Sequence, residues 1–255
     1  MRQAGIEISI PTLTKYLEEN GFGSYVPAKK PRLTAEHMKK RLAWAKARLD
    51  WSFEKWSSVM WSDESRFTVT GNDAGVRVIR RVGERYNKDK ILQTDKFGKG
   101  SVMIWSCFWA GGLGPLVILD ENVNQDVYVN LLSKHFIPYF KNLEHEQNKR
   151  FIFQEDNATC HTGSYSTWYR ARWEIYPFDF WPAQSPDLNP IENVWAKLGQ
   201  LISKRKDSIK NKAYLKVALK EEWEKIQVSY LTVLVESMPS RLKAVIEAKG
   251  GNTKY

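Results

Sequence analysis

Three carboxylates stand in strongly patterned settings: Asp63 in VMWSDESRF, Asp156 in FIFQEDNATCH and Glu192 in WPAQSPDLNPIENVW. Each closes an apolar run or opens a helix, where a charge is costly unless a cation or a partner offsets it. Three such acids suit a pair of hard divalent cations, which prefer oxygen ligands. Paired cations drive in-line displacement at phosphorus. The chain carries 39 Lys+Arg against 29 Asp+Glu, a net charge of +10, which favours a polyanionic substrate. These residues predict metal-dependent cutting of DNA.

The elements that must position the acids can be read around them. VMWSD and Phe151-Ile152-Phe153 are apolar strand patterns that deliver Asp63 and Asp156 to strand ends. Two parallel neighbouring strands would bring both acids to one sheet edge, where α/β sheets bind ligands. By strand alternation Glu64 and Glu155 point the other way. Around Glu192 the spacing predicts a helix with Asn189 as cap, Pro190 at the first position and Glu192 at the third. A capping-box glutamate has the same signature. The rigid, proline-punctuated approach WPAQSPDLNP favours a metal ligand instead.

Length and composition bound the rest. At 255 residues, with 42% hydrophobic and 13% aromatic residues, the chain can hold one large domain and an appendage. No apolar run approaches the roughly eighteen residues of a membrane span, and MRQAGIEIS lacks a secretory signal pattern. Cys107 and Cys160 are too few for a disulfide framework or a cysteine-rich zinc site, so a reducing, intracellular setting is expected. Lys29-Lys30-Pro31-Arg32 and Lys204-Arg205-Lys206 are candidate nuclear signals or phosphate-facing runs.

Residues 9–20 predict a short helix capped by Ser9, with Leu13, Tyr16 and Leu17 inward and Thr12, Thr14 and Lys15 outward. That pattern suits a recognition helix. A Gly/Pro/Lys linker follows, then a helix over 34–49 with a stripe of Met38, Leu42, Ala45 and Leu49. Lys39, Lys40, Arg41, Lys46 and Arg48 crowd its other faces, where they could track phosphates. Strand patterns lie in VMWSD, SRFTVT, GVRVIRR, GSVMIWSCFW and GPLVILD. A helix over 125–140, the strand FIFQED, a helix over 165–173, the strand IYPFDF, a helix from Pro190 to Lys204 and a helical tail over 213–248 complete the order. Strands first and then alternating elements predict a mixed sheet covered on both faces.

The segments WSDESRF, FQEDNATCHTG and WPAQSPDLNPIENVW resemble the three catalytic blocks of the Tc/mariner transposases. VPAKKPRLT, RRVGERY, GKGSVMIW and SMPSRLKAVIEAKGGNTKY add collinear matches along essentially the whole chain. The resemblance implies an α/β fold: an RNase H-like, mixed five-stranded sheet flanked by helices, preceded by a helix-turn-helix remnant and a linker. It implies a remnant of the second helix-turn-helix at 1–24, a basic linker and helix at 25–55, and a catalytic domain at 56–255. A clamp-loop insertion would occupy about 72–100. It places the catalytic and metal-holding triad on Asp63, Asp156 and Glu192, served by two Mg²⁺ ions that Mn²⁺ can replace. It further implies double-stranded DNA as partner, inverted repeats as substrate, a TA target and cut-and-paste movement by a homodimer; the missing apolar span and the basic runs add the expectations of no membrane partner and a nuclear location. Thirty-five residues separate Asp156 from Glu192, one more than the commonest spacing in this branch. Glu155 and Ser106 stand where family members usually carry Gln and Gly.

Candidate DNA contacts are Thr12, Thr14, Lys15, Lys29, Lys30, Arg32, the insertion's Arg77, Arg80, Arg81 and Arg85, and His161 at the active-site edge. His161 and Cys160 have no second metal-like pair, so zinc is not expected. Trp105 and Trp195 sit in apolar patterns and are assigned to the core. Two other readings remain: an inactive or domesticated DNA-binding derivative, and an RNase H-like nuclease that does not transpose.

Overall fold

The computed structural model describes residues 9–22, 30–69, 100–120 and 122–255. The chain divides into two compact units, Met1–Arg32 and Leu33–Tyr255. The clamp-loop positions Arg77, Arg80, Arg81 and Arg85, and also Lys29, lie outside the described residues.

In the first unit, helix α1 (Ile10–Glu19) starts as its spacing predicts. Ser9 Oγ accepts from the Thr12 amide at 3.3 Å, and Pro11 occupies the first turn, where its missing N–H costs nothing. Thr12, Thr14 and Lys15 are exposed. The expected inner face is not buried within this unit: Tyr16 and Leu17 are exposed too. Lys30 and Arg32 are also exposed.

The second unit begins with α2 (Ala35–Lys46), closed by a capping box. Thr34 Oγ1 accepts from the His37 amide at 3.2 Å, and His37 Nδ1 accepts from the Thr34 amide at 3.4 Å. Its buried face corrects the sequence reading: Arg41, Trp44, Ala45 and Arg48 point inward, while Leu49 is exposed. Long cationic side chains can turn inward when their heads find partners. Arg41 pairs with Asp187; Arg48 pairs with Asp179 and lies over the rings of Trp44 and Phe178. These two arginines therefore hold the fold together and do not track phosphates.

After α3 (Phe53–Trp56) come β1 (Val59–Thr68), β2 (Ser101–Trp109), β3 (Gly112–Leu113) and β4 (Val117–Leu119). Helix α4 (Gln125–Leu131) passes through a wider turn at Leu132–Phe136 into α5 (Ile137–Gln147). Then follow β5 (Ile152–Gln154), α6 (Thr159–Thr162), α7 (Ser164–Arg172), β6 (Tyr176–Pro177), a 3₁₀ turn at Pro186–Leu188 and α8 (Ile191–Lys204). The tail forms α9 (Lys212–Glu224), α10 (Val228–Glu236) and α11 (Met238–Glu247).

The sheet order is β3-β2-β1-β5-β6, with β4 also on β2. β1 runs antiparallel to β2 and parallel to β5, and β5 is parallel to β6. VMWSD and the SRFT that follows form one strand rather than two. Among the described residues the sheet has six strands where five were expected, one of them the two-residue β3 that precedes GPLVILD.

Alternation sends Val59, Trp61, Ile104 and Phe108 to one face, against Trp44 and residues of α8–α11. Met60, Trp105, Cys107 and Phe153 go to the other, against Tyr128, Leu132, Phe136 and Phe140. Each fully buried side chain of this size contributes on the order of 1.5–3 kcal/mol, so both layers press on the strands that carry the acids. Trp105 and Trp195 are core residues, as their patterns predicted. No described helix is long and apolar enough to cross a membrane.

Candidate active site

Asp63 sits in the middle of β1, not at its end. The parallel pairing of β1 with β5 stops at Trp61 opposite Gln154, so Asp63 emerges where its parallel neighbour has ended. Asp156 follows β5 by two residues, in the loop beside Asp63. Glu192 enters from α8, whose first residue is Ile191 and whose N-cap is Pro190. The helix thus begins one residue later than the spacing predicted, and Glu192 holds its second position. Asn189 still serves the helix start: its Oδ1 accepts from the Ile191 amide at 3.3 Å.

The three acids line one cavity of about 380 Å³, together with Asn157, Ala158, Trp181, the Ala183–Pro186 approach and Asn189. Burial, then Glu64, Glu192 and Asp156, push the Asp63 carboxyl up to about 8; only the Glu64 amide, donating at 2.9 Å, opposes them. Burial also raises Glu192, offset by a hydrogen bond with Asp63. Burial acts the same way on Asp156. There the His161 hydrogen bond, the Ala158 amide and the His161 charge outweigh it and hold that carboxyl below its ordinary value. One acid is thus already compensated, and two carry charge that their surroundings resist.

The compensating group is His161. Its Nδ1 lies 2.7 Å from Asp156 Oδ1 and its Nε2 lies 3.4 Å from Glu64 Oε1. Burial would lower this imidazole, but hydrogen bonds to Asp156, Cys160 and Glu64 raise it to about 12, so it is an imidazolium that serves two carboxylates. Tyr128 lies against the ring at 4.3 Å between centroids, and Arg170 Nη1 donates to the His161 carbonyl at 2.9 Å. Arg170 also pairs with Glu155 at 2.9 Å, whose Oε2 accepts from Tyr128 Oη at 2.7 Å. The His161 side chain is only 4% exposed. This corrects its assignment as a DNA-facing residue, since its polar atoms are turned inward to the acids. Glu64 and Glu155 do point away from the cavity, as alternation predicts, but both join this buried network.

The approach to Glu192 is anchored from behind. The fully buried Arg41 places Nη1 and Nη2 at 2.7 Å from the two Asp187 oxygens. It also donates to Ser185 Oγ at 2.9 Å and to the carbonyls of Gly250 and Gly251 at 2.9 and 3.0 Å. Thr253 Oγ1 donates to Asp187 Oδ2 at 2.8 Å. Gly250 has φ +85°, and a Cβ there would meet the Met38 carbonyl at 2.0 Å. Only glycine fits this close approach of the tail to α2.

Residues 58–216 match the family model of the DDE superfamily endonucleases, and residues 1–50 match a model described as transposase. The chain is 36% identical over 249 residues to the Transposable element Tcb2 transposase of Caenorhabditis briggsae, covering 97% of this chain and 88% of that protein. The chain belongs to the Tc/mariner transposases of the DDE superfamily. Another similar relative is the Transposable element Tc1 transposase of Caenorhabditis elegans, 36% identical over 246 residues, covering 96% of this chain and 87% of that protein. The fold resembles that of Mos1 transposase in a pre-cleavage transpososome, with TM-score 0.81 at 18% identity, covering 97% of this chain and 72% of that one. A Mos1 mariner paired end complex with Mn superposes with TM-score 0.80 at 19% identity, over the same shares of the two chains.

The donor set of this family member suits divalent ions. It is all carboxylate oxygen, and the raised Asp63 and Glu192 carboxyls mark negative charge that a cation would relieve. Among the described residues no three His, Cys, Asp or Glu side chains are already gathered at metal-binding spacing. Three clustered carboxylates repel one another, and here Asp156 is drawn onto His161.

Proposed function

We propose that this chain cuts DNA at transposon ends and joins the freed ends to target DNA, using Asp63, Asp156 and Glu192 as its metal-holding acids. The observation that carries this reading is the convergence of those acids, from β1, the loop after β5 and the start of α8, on one cavity. When bound, paired Mg²⁺ or Mn²⁺ ions lower the pKa of an attacking water and stabilise the departing 3′ oxygen. The chain's own residues do the positioning. Asp63 presents a carboxyl from a rigid strand between two core layers. Glu192 comes from a helix start clamped by Asp187 and Arg41. The hydrogen bond from His161 competes with any ion for Asp156.

The same reading includes a homodimer acting on inverted repeats and a TA target, supported by family membership. A nuclear workplace is supported by the basic runs at 29–32 and 204–206. Asp156→Asn provides the test, because an amide is a poor ligand for hard cations. The variant is expected to keep its fold and its DNA binding in gel-shift assays while losing Mg²⁺- or Mn²⁺-dependent cleavage. Cleavage by this variant at the wild-type rate would refute the assignment.

A further inference from the structure

Next to each acid the chain places a small polar residue that the active-site assignment does not use, and these three residues meet. Ser62 precedes Asp63, Gln154 lies two residues before Asp156, and Asn189 lies three before Glu192. All three are buried, with Ser62 at 3%, Gln154 at 0% and Asn189 at 5% exposure. The Ser62 amide donates to Gln154 Oε1 at 3.1 Å, and Ser62 Oγ donates to the Gln154 carbonyl at 2.7 Å. Asn189 Nδ2 donates to the Ser62 carbonyl at 3.1 Å, while its Oδ1 takes the Ile191 amide. Ser62 thus uses its amide, hydroxyl and carbonyl to hold the two other acid-bearing segments.

A merely structural role fits this hub poorly. Apolar residues would fill the same space without the cost of burying amides, and the Gln154 Nε2 atom is itself buried without a hydrogen-bond partner. What the polar groups add is direction. Main-chain pairing between β1 and β5 ends at Trp61 and Gln154, just where the acids begin, so the ladder no longer sets their register. The side-chain bonds of Gln154 continue that register by one residue. Asn189 extends it to α8, which among the described residues has no backbone hydrogen bond to the sheet of its own.

We propose that Ser62, Gln154 and Asn189 form a buried hub that positions the three carboxylates for shared ions. They are positioning residues: Ser62 and Gln154 do not line the acid cavity, and Asn189, which does, acts through the Ser62 carbonyl and the start of α8. This inference rests on the assignment of Asp63, Asp156 and Glu192 given above.

The test compares the full chain with Asn189→Ser and Gln154→Met. Serine can still accept from the Ile191 amide but is too short to reach the Ser62 carbonyl. Methionine fills the Gln154 site without an acceptor. Leu242→Ala, which opens a cavity in the core under α11 without touching the hub's own hydrogen bonds, serves as a control for lost stability. Mn²⁺ binding without DNA is read by electron paramagnetic resonance, and nicking of supercoiled plasmid is read well below each melting temperature. Removing groups that orient metal ligands lowers affinity or activity by about 10–100-fold. That fall is expected for Mn²⁺ affinity and nicking kcat in both hub variants, with KM for plasmid unchanged and Leu242→Ala close to wild type. If Leu242→Ala loses Mn²⁺ affinity as much as the hub variants do, the effect is general destabilisation and the hub is overturned. Wild-type Mn²⁺ affinity in Asn189→Ser and Gln154→Met overturns the hub alone, provided that Glu192→Gln loses it. Wild-type affinity in Glu192→Gln overturns the acid assignment and the hub with it. Should one hub variant fail to fold, the other decides.

Discussion

Replacing Arg41 by Met removes a cation from a site with 0% exposure and leaves Asp187, whose side chain is 6% exposed, without its counter-charge. The lost partners are the two carboxylate oxygens at 2.7 Å, Ser185 Oγ, and the carbonyls of Gln184, Gly250 and Gly251. Breaking one side of a buried pair costs about 3–5 kcal/mol. In a body of this size each kcal/mol moves the melting temperature by roughly 2–4 °C, so Arg41→Met is expected to melt roughly 6–20 °C lower. The companion variant Arg41→Met/Asp187→Leu removes both charges and is expected to recover much of the loss, because apolar replacement of a whole buried pair is often near neutral. The assay is thermal unfolding followed by circular dichroism on the wild type, both single variants and the double. A double variant at least as unstable as the sum of the singles would refute the reasoning, since it would leave no coupling between the two charges. So would a shift of less than about 2 °C in Arg41→Met, well under the range expected for a buried pair. The site makes this pair more than a stability element: it joins α2, the Gly250–Thr253 tail and the approach to Glu192.

Two further outcomes follow from the electrostatics of the site. Asp63 is raised to about 8 from an ordinary 3.8, so the folded, metal-free protein binds more protons than the unfolded chain between those values. Its stability should therefore fall as pH rises from about 4 to 8, and raised Glu192 acts in the same direction. Melting curves of wild type and Asp63→Asn across this range test the sign: the variant should show the flatter profile, and equal slopes would contradict it. The melting-temperature gain on adding Mg²⁺ to wild type should grow over the same interval, because the ion offsets that charge. Glu155→Gln installs the residue usual in the family but leaves Arg170, 6% exposed, without its 2.9 Å carboxylate partner. A loss of about 3 kcal/mol is expected by analogy with other broken buried pairs, read by chemical denaturation. An unchanged midpoint would mean that Glu155 is no more than a tolerated replacement.

The sequence by itself picked out the candidate acids and most of the elements. An acid closing each of two apolar strand patterns, and a third behind a proline-rich approach, are local signals. They depend on period-2 alternation, on caps and on the conformational limits of proline, all set within a few residues. The α1 cap and the placement of Trp105 and Trp195 in the core were legible for the same reason, and the start of α8 to within one residue. What tertiary structure alone decided was the partner of each charge. Helical periodicity assigned Arg41 and Arg48 to the outside, because it weighs side chains by hydrophobicity. Contacts with Asp187, more than a hundred residues away, and with the rings of Trp44 and Phe178 drew them in. His161 read as an exposed edge residue because nothing near it in sequence predicts Glu64, Tyr128 and Arg170 around it. Asp63 read as a strand end because its apolar run stops there. Only the shorter β5 shows that the strand continues while its parallel neighbour does not. Asn189 read only as a helix cap, and Ser62 and Gln154 only as positions in strand patterns. Their meeting depends on strand register and helix docking, which are properties of the assembled chain.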